Sequence, residues 1–231
     1  MSSQPNQSLI DGIRCLQYLV SSNKAIGCRE LARKMGMNST KVNRLLMTMM
    51  SVGLTMQDKR RRYLPGPGIH ALAAQAIRGS SLFSQALPLL ESHAPKDIVV
   101  AMGVLWEDQV IYLYHSKPGG QVSQALAGFH MLPAWESVIG MSLLAAESDD
   151  DLRLRFTGEQ WQHMAPLLTR QRAEGQLVWL HDDGEISIAE PLRHSHAALA
   201  FARIYDADDA EIARRRQQLA SLAERLISVQ L

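Results

Sequence analysis

The chain has 231 residues, 46% of them hydrophobic, enough for one large or two ordinary domains with cores of their own. Its longest apolar runs, 98–106 and 138–146, fall well short of the roughly 20 residues needed to cross a bilayer, which excludes a membrane-spanning helix. The formal charge of +1 hides a split: the first eighty residues hold twelve Lys and Arg against three acids, a balance of +9, and the remaining 151 hold twelve against twenty, a balance of −8. A phosphate-binding surface is local, so this asymmetry points to the N-terminal third and to two domains. The opening Met-Ser-Ser-Gln-Pro-Asn-Gln lacks the cationic patch and apolar stretch of a secretory signal, so a cytoplasmic location is expected. Cys15 and Cys28 have no CxxC companion and read as small buried apolar groups.

Ser8 and Asp11 have the spacing of a capping box, and Leu9, Ile13, Leu16, Leu19 and Val20 then recur at helical spacing. A short second helix carries Leu31, Ala32 and Met35 inward and ends at Gly36, which can take the left-handed conformation of a tight turn. A third helix, capped by Asn38 or Ser39, buries Val42, Leu45, Leu46 and Met49 and stops at Gly53. Met47, Met49 and Met50 are helix packing. This is the spacing of a helix-turn-helix, whose second helix enters the major groove of double-stranded DNA. Its outward residues, Ser39, Thr40, Lys41, Asn43, Arg44 and Thr48, are the types that bond base edges and phosphates. Residues 54–64 read as two short strands around Asp58 and Lys59, a hairpin wing whose tip carries Lys59, Arg60, Arg61 and Arg62. Four adjacent cations repel one another unless an anion compensates, and DNA phosphate does so while releasing counterions.

Pro65, Gly66, Pro67 and Gly68 close this domain, and the Ala-rich segment 69–77 reads as a linking helix able to pack against a two-fold mate. A helix at 81–92 is followed by strand segments 97–106, 109–115 and 122–128. Leu132 and Pro133 lead into a helix expected over 134–147, then helices over 149–156 and 159–174. Strands return at 177–181, 185–192 and 197–205 before a last helix over 208–228. This is an α/β sheet domain. His194 and His196 would share one face of a strand but have no third ligand, so no metal is expected. No phosphate-cradling glycine loop, nucleophile elbow or paired catalytic carboxylates occur, so neither a cofactor nor an enzymatic activity is expected.

The stretch from Leu31 through Gly53, within "ELARKMGMNSTKVNRLLMTMMSVGL", resembles the winged helix-turn-helix of the IclR family of bacterial transcription regulators, with matches at Leu31, Ala32, Gly36, Arg44, Leu45, Leu46 and Gly53. "RYLPGPGIHAL" is similar to that family's wing end and linker. "LPAWESVIGMSLLA" resembles its effector-domain segment, at Leu132, Pro133, Ser137, Gly140, Leu144 and Ala145, and "ISIAEPL" a later strand. The resemblance implies a winged helix-turn-helix over 1–67, a linker helix over 68–80 and a GAF-like α/β effector-binding domain over 81–231. It also implies a homodimer or homotetramer that binds a DNA operator, with affinity modulated by a small organic or sugar acid. In physical terms, a helix starting near Ala134 would offer free N–H groups and the positive end of its dipole to an anionic metabolite. Ser137 would add a hydroxyl, Trp135 an apolar wall, and Glu136 stands in the same turn. Two departures from the family bear on that pocket: alanines at Ala200 and Ala202 where relatives place small hydroxyl residues, and a shortened segment between Glu185 and Ile188. Asp182 and Asp183 read as turn residues ahead of Gly184. The alternative is a small-molecule-binding or enzymatic α/β domain whose basic N-terminus is only an interaction module.

Overall fold

The structure, a computed structural model, describes residues 4–22, 24–79, 85–120, 124–125, 131–193 and 195–226. The chain divides into two compact units, 1–79 and 80–231.

In the first unit, helices α1 (Gln7–Val20), α2 (Cys28–Lys34) and α3 (Ser39–Ser51) bury Cys15, Leu19, Leu31, Ala32, Val42, Leu46 and Met49 against one another. The cap of α1 is Asn6, whose side chain accepts from the Leu9 N–H, rather than Ser8. Asp11, expected as part of that cap, is instead buried; it accepts from Gln7 Nε2 at 2.9 Å and is ion-paired with Lys41 of α3. The Lys41 ammonium holds the Asp11 carboxyl below the usual carboxylate range. Gly36 at φ 62° makes the turn between α2 and α3, and Gly53 at φ 76° releases the chain from α3, both conformations that cost a residue with a Cβ. Strands β1 (Thr55–Gln57) and β2 (Tyr63–Pro65) pair antiparallel, and Tyr63 also pairs with Ile26 ahead of α2. Helix α4 (Pro67–Gly79) follows with no buried residue.

The second unit is a six-stranded antiparallel sheet in the order β5-β4-β3-β8-β7-β6, formed by β3 (Val99–Trp106), β4 (Gln109–His115), β5 (Met131–Pro133), β6 (Leu177–Leu180), β7 (Ile186–Pro191) and β8 (Ala197–Ile204). Side chains alternate across a strand, so the two faces have different cores. One face, with Val100, Met102, Leu199 and Phe201, is covered by α5 (Leu87–His93) and α9 (Asp209–Leu226). The other face is covered by α6 (Val138–Leu144), α7 (Asp149–Arg155) and α8 (Gly158–Glu174). There Ala101, Ala200 and Ala189 stand in register across β3, β8 and β7, with Gly103 opposite Ala198. These small residues let α6 lie close against the sheet. A Cβ on Gly103 would press at 3.0 Å on the Ile111 carbonyl and the Val110 side chain, so its neighbours would have to give by a few tenths of an ångström to admit one.

Several expected boundaries move. The helix expected over 134–147 is broken: Ala134–Glu136 is a single 3-10 turn, Ser137 is extended, and α6 begins only at Val138. Ser137 is the reason, because its hydroxyl accepts from the Gly140 N–H and caps α6. The helix expected over 81–92 is described from Leu87 to His93, and residues 80–84 lie outside the described residues. The strand expected over 122–128 lies mostly outside them too, and its two described residues, Gln124 and Ala125, are helical. Helix α8 carries a capping box, Thr157 with Gln160, visible in the sequence but not drawn from it.

Candidate nucleic-acid interface and effector site

Helix α3 presents Ser39, Thr40, Asn43, Arg44, Met47 and Thr48 on its exposed face. Asn38 caps it by accepting from the Thr40 N–H at 2.8 Å. Of the expected base-reading side chains, Arg44 is exposed and has no ion-pair partner among the described residues. The Thr48 hydroxyl is turned back onto the Arg44 carbonyl at 2.9 Å. Lys41, expected to grip phosphate, is only half exposed and is held by Asp11, so it fastens α3 to α1. Asn43 is set by a residue sequence reasoning passed over. Buried Tyr63 of β2 donates to Asn43 Oδ1 at 3.2 Å, which fixes the amide so that its NH2 remains available as a donor.

The wing loop is organised by Asp58. Its Oδ1 accepts from the Arg60 and Arg62 N–H groups at 2.9 and 2.8 Å, and its Oδ2 accepts from Arg62 Nε at 2.8 Å. These bonds, the Arg62 backbone one foremost, hold the carboxyl below the usual carboxylate range. Arg62, expected at the wing tip with its neighbours, is therefore a structural partner of Asp58. Lys59, Arg60 and Arg61 stay exposed, with no counterion among the described residues. Asx-type looping was legible in the order Gln-Asp-Lys-Arg; the Tyr63 contact, twenty residues from Asn43, was not.

In the second unit the helix whose first N–H groups were expected to seat an anion at 134–137 begins only at Val138. Ala134 is fully buried and its N–H donates to the Asp108 carbonyl, while Glu136 faces solvent. Ser137 is 2% exposed and bonded to Tyr112 Oη at 2.9 Å as well as to Gly140, so its hydroxyl is a structural group. Burial pushes the Tyr112 phenol up. Trp135 is half-buried and heads an aromatic strip. His163 meets it edge-on at 6.2 Å, Trp179 lies 5.3 Å from His163, and His181 stacks on Trp179 at 4.6 Å. His181 Nε2 is 3.1 Å from the Ser187 hydroxyl, which donates to Glu185 Oε1 at 3.1 Å. Ala200, expected to set pocket polarity, belongs to the core beneath α6, whereas Ala202 is half-buried. Asp182 and Asp183 form the turn before Gly184, and Asp183 accepts from the Glu185 N–H. Cys15 is buried and its thiol is pushed up to about 11, mostly by that burial, so it is an inert packing group. His194 lies outside the described residues. Among the described helices none is long and apolar enough to cross a membrane.

This arrangement of helices, wing and flanked sheet recurs in solved structures. An IclR transcriptional regulator from Alicyclobacillus acidocaldarius superposes with a TM-score of 0.71 at 23% identity, over 99% of this chain and 100% of that one. The chain has the fold of the IclR-family transcriptional regulators. An IclR-family regulator from Brucella abortus matches with a TM-score of 0.74 at 20% identity, over 99% of this chain and 95% of that one. An IclR homolog from Microbacterium hydrocarbonoxydans, complexed with 4-hydroxybenzoate, matches with a TM-score of 0.61 at 20% identity, over 96% and 100%. No protein-family model and no curated protein matches the chain.

Proposed function

We propose that the chain is a transcription regulator that reads a duplex operator through α3 and the β1–β2 wing, with an affinity set by a small organic acid bound in the second unit. The observation that carries this reading is the set of exposed cations Arg44, Lys59, Arg60 and Arg61, left without counterions among the described residues on the recognition helix and wing of an IclR-type fold. Arg44, Asn43, Thr40 and Ser39 are assigned to base edges, with the Asn43 NH2 aimed by Tyr63 at an acceptor such as a purine N7. Lys59, Arg60 and Arg61 are assigned to phosphates, and Thr48 to a contact through its methyl group. Lys41 and Arg62 act in support, by holding α3 and the wing in shape.

The domains are taken as 1–67 for DNA binding, 68–80 for the linker helix and 81–231 for the effector. Helix α4 exposes Leu72 at 54% and Ile77 at 47%, an apolar surface suited to a second copy, so the acting species is a homodimer or a larger homo-oligomer that spans two half-sites in the cytoplasm. For the effector, the strip of Trp135, His163, Trp179 and His181 offers aromatic faces and edges to a planar ring and imidazole N–H groups to a carboxylate. A hydroxylated aromatic acid, of the kind bound by the Microbacterium homolog, fits that chemistry.

Duplexes selected by the purified protein from genomic fragments provide the test. Arg44→Ala and Thr40→Ala should each weaken binding to the selected duplex by roughly 1 to 3 kcal/mol and leave random duplex almost unaffected. Equal losses on both would remove α3 from base reading. Trp135→Ala should weaken an aromatic acid about tenfold by tryptophan quenching, and unchanged affinity would move the effector elsewhere.

A further inference from the structure

Helix α3 carries one large apolar side chain among the polar and charged ones of its exposed face. Met47, expected with Met49 and Met50 to pack within the helix, is 46% exposed, whereas Met49 is 8% exposed and Val42 and Leu46 are fully buried. One turn back along the same face stand Asn43 and Arg44, two of the side chains assigned to base edges. Met47 is also held in place. The hydroxyl of buried Tyr63, which donates to Asn43 Oδ1 at 3.2 Å, lies 3.6 Å from Met47 Sδ. Asn43 and Met47 are thus set from one point, four residues and about 6 Å apart along the helix axis. A base step along duplex DNA is about 3.4 Å, so a helix lying in the major groove puts the two side chains within about two base pairs of each other.

The chemistry of the contact follows from what the groove offers. Base edges there present hydrogen-bond donors and acceptors, and their one methyl group is the C5-methyl of thymine. A thioether has no donor, and its sulfur is a weak acceptor already met by Tyr63, so Met47 returns little to a polar edge from which it displaces water. Against a thymine methyl, two apolar surfaces leave water together. We infer that Met47 is a specificity-determining residue that reads thymine through its methyl group, one or two base pairs from the base pair read by Asn43. The inference rests on the proposed entry of α3 into the major groove.

Deoxyuridine differs from thymidine only in lacking that methyl, so replacing the thymines of the selected duplex one at a time removes the contact and no hydrogen bond. Measured by fluorescence anisotropy with the full chain, the replacement at one position in each half-site should weaken binding about fourfold, the worth of one buried carbon. That position should lie within about two base pairs of the one whose preference Asn43→Ala relaxes. In Met47→Ala the thymine and deoxyuridine duplexes should bind equally, and Met47→Leu should keep the preference. Whatever it does to affinity, Thr48→Ser, which removes a neighbouring methyl and keeps the hydroxyl, should keep the ratio as well. No methyl-sensitive thymine within that span, a preference that survives in Met47→Ala, or one abolished by Thr48→Ser would each overturn the assignment. Losses in Arg44→Ala and Thr40→Ala confined to the selected duplex, found together with no methyl sensitivity, would strike the role of Met47 alone. An absence of any sequence preference would strike the reading of α3 with it.

Discussion

The two units differ in how their cations are matched. In the second unit five guanidinium groups are matched by carboxylates, Arg155 with Asp108 and Glu147, Arg172 with Asp149, Arg214 with Glu211, Arg215 with Asp97 and Glu211, and Arg216 with Glu174, while Arg153 lies over the Trp161 ring and Arg170 donates to the Val178 carbonyl. In the first unit Lys41 and Arg62 are each matched to a single acid that shapes α3 or the wing, while Arg44, Lys59, Arg60 and Arg61 stand in solvent unmatched among the described residues. Cations gathered on one surface repel one another, so leaving them unmatched costs stability that an anionic partner recovers. The paired charge of the second unit therefore serves the fold, and the unmatched charge of the first is what the proposed DNA partner would neutralise.

That contrast fails if the wing cations can be removed without consequence. Neutralising Lys59, Arg60 and Arg61 together should lower affinity for every duplex by about a hundredfold at moderate salt. It should also flatten the log–log salt slope by about 0.9 for each phosphate that is no longer neutralised, measured by fluorescence anisotropy across a salt series. An unchanged slope would turn the wing away from DNA. The converse substitution lies in the second unit. Arg215 is 5% exposed and joins Asp97 to Glu211, so Arg215→Met should cost roughly 2 kcal/mol in urea unfolding and leave the salt slope of DNA binding as it was. A shifted slope without a stability loss would erase the distinction between the two sets of cations.

Much of the first unit was legible because its signals are local. The apolar spacing of α3, the glycines at 36 and 53 and the Lys59–Arg62 run lie within a few residues of one another. Which cations are free was not legible, because it depends on pairings such as Lys41 to Asp11 across thirty positions. In the second unit five of the strands read well from their apolar runs, whereas the short β5 was not read and the strand expected over 122–128 is helical at its two described residues. The start of α6 did not read well, since Ala134 to Ala145 is uniformly apolar enough to read as one helix. Only the Ser137 hydroxyl, drawn between Tyr112 and the Gly140 N–H, breaks it. The aromatic strip joins Trp135, His163 and the Trp179–His181 pair from three separate segments, and no spacing announces the whole.

Two smaller effects sharpen the comparison within the first unit. Tyr63→Phe keeps the packed ring but frees Asn43, so it should cost about 1 kcal/mol on the selected duplex and relax preference at one base pair, read by competition among single-base variants. Uniform loss across the variants would assign Tyr63 to stability alone. The wing also has an acid limit. Because the Asp58 carboxyl lies below its ordinary 3.8 in the folded chain, the order it brings is fully present above that value and is lost as pH falls through the lower folded one. NMR titration of the Asp58 carboxylate carbon should give a midpoint under 3.8, and a midpoint at or above it would mean the Arg60 and Arg62 bonds do not persist in solution.

The central claim, a DNA-reading unit governed by an acid bound elsewhere on the chain, is tested most directly by linkage. A small aromatic acid is titrated by calorimetry with and without the selected duplex, and the duplex with and without saturating acid. The two affinity changes should be the same factor, typically about 5- to 150-fold, because coupling between sites is reciprocal. The selected duplex should also be preferred over random DNA by at least about a thousandfold at physiological salt. Acid that binds without altering DNA affinity, or duplex binding without sequence preference, would contradict the claim.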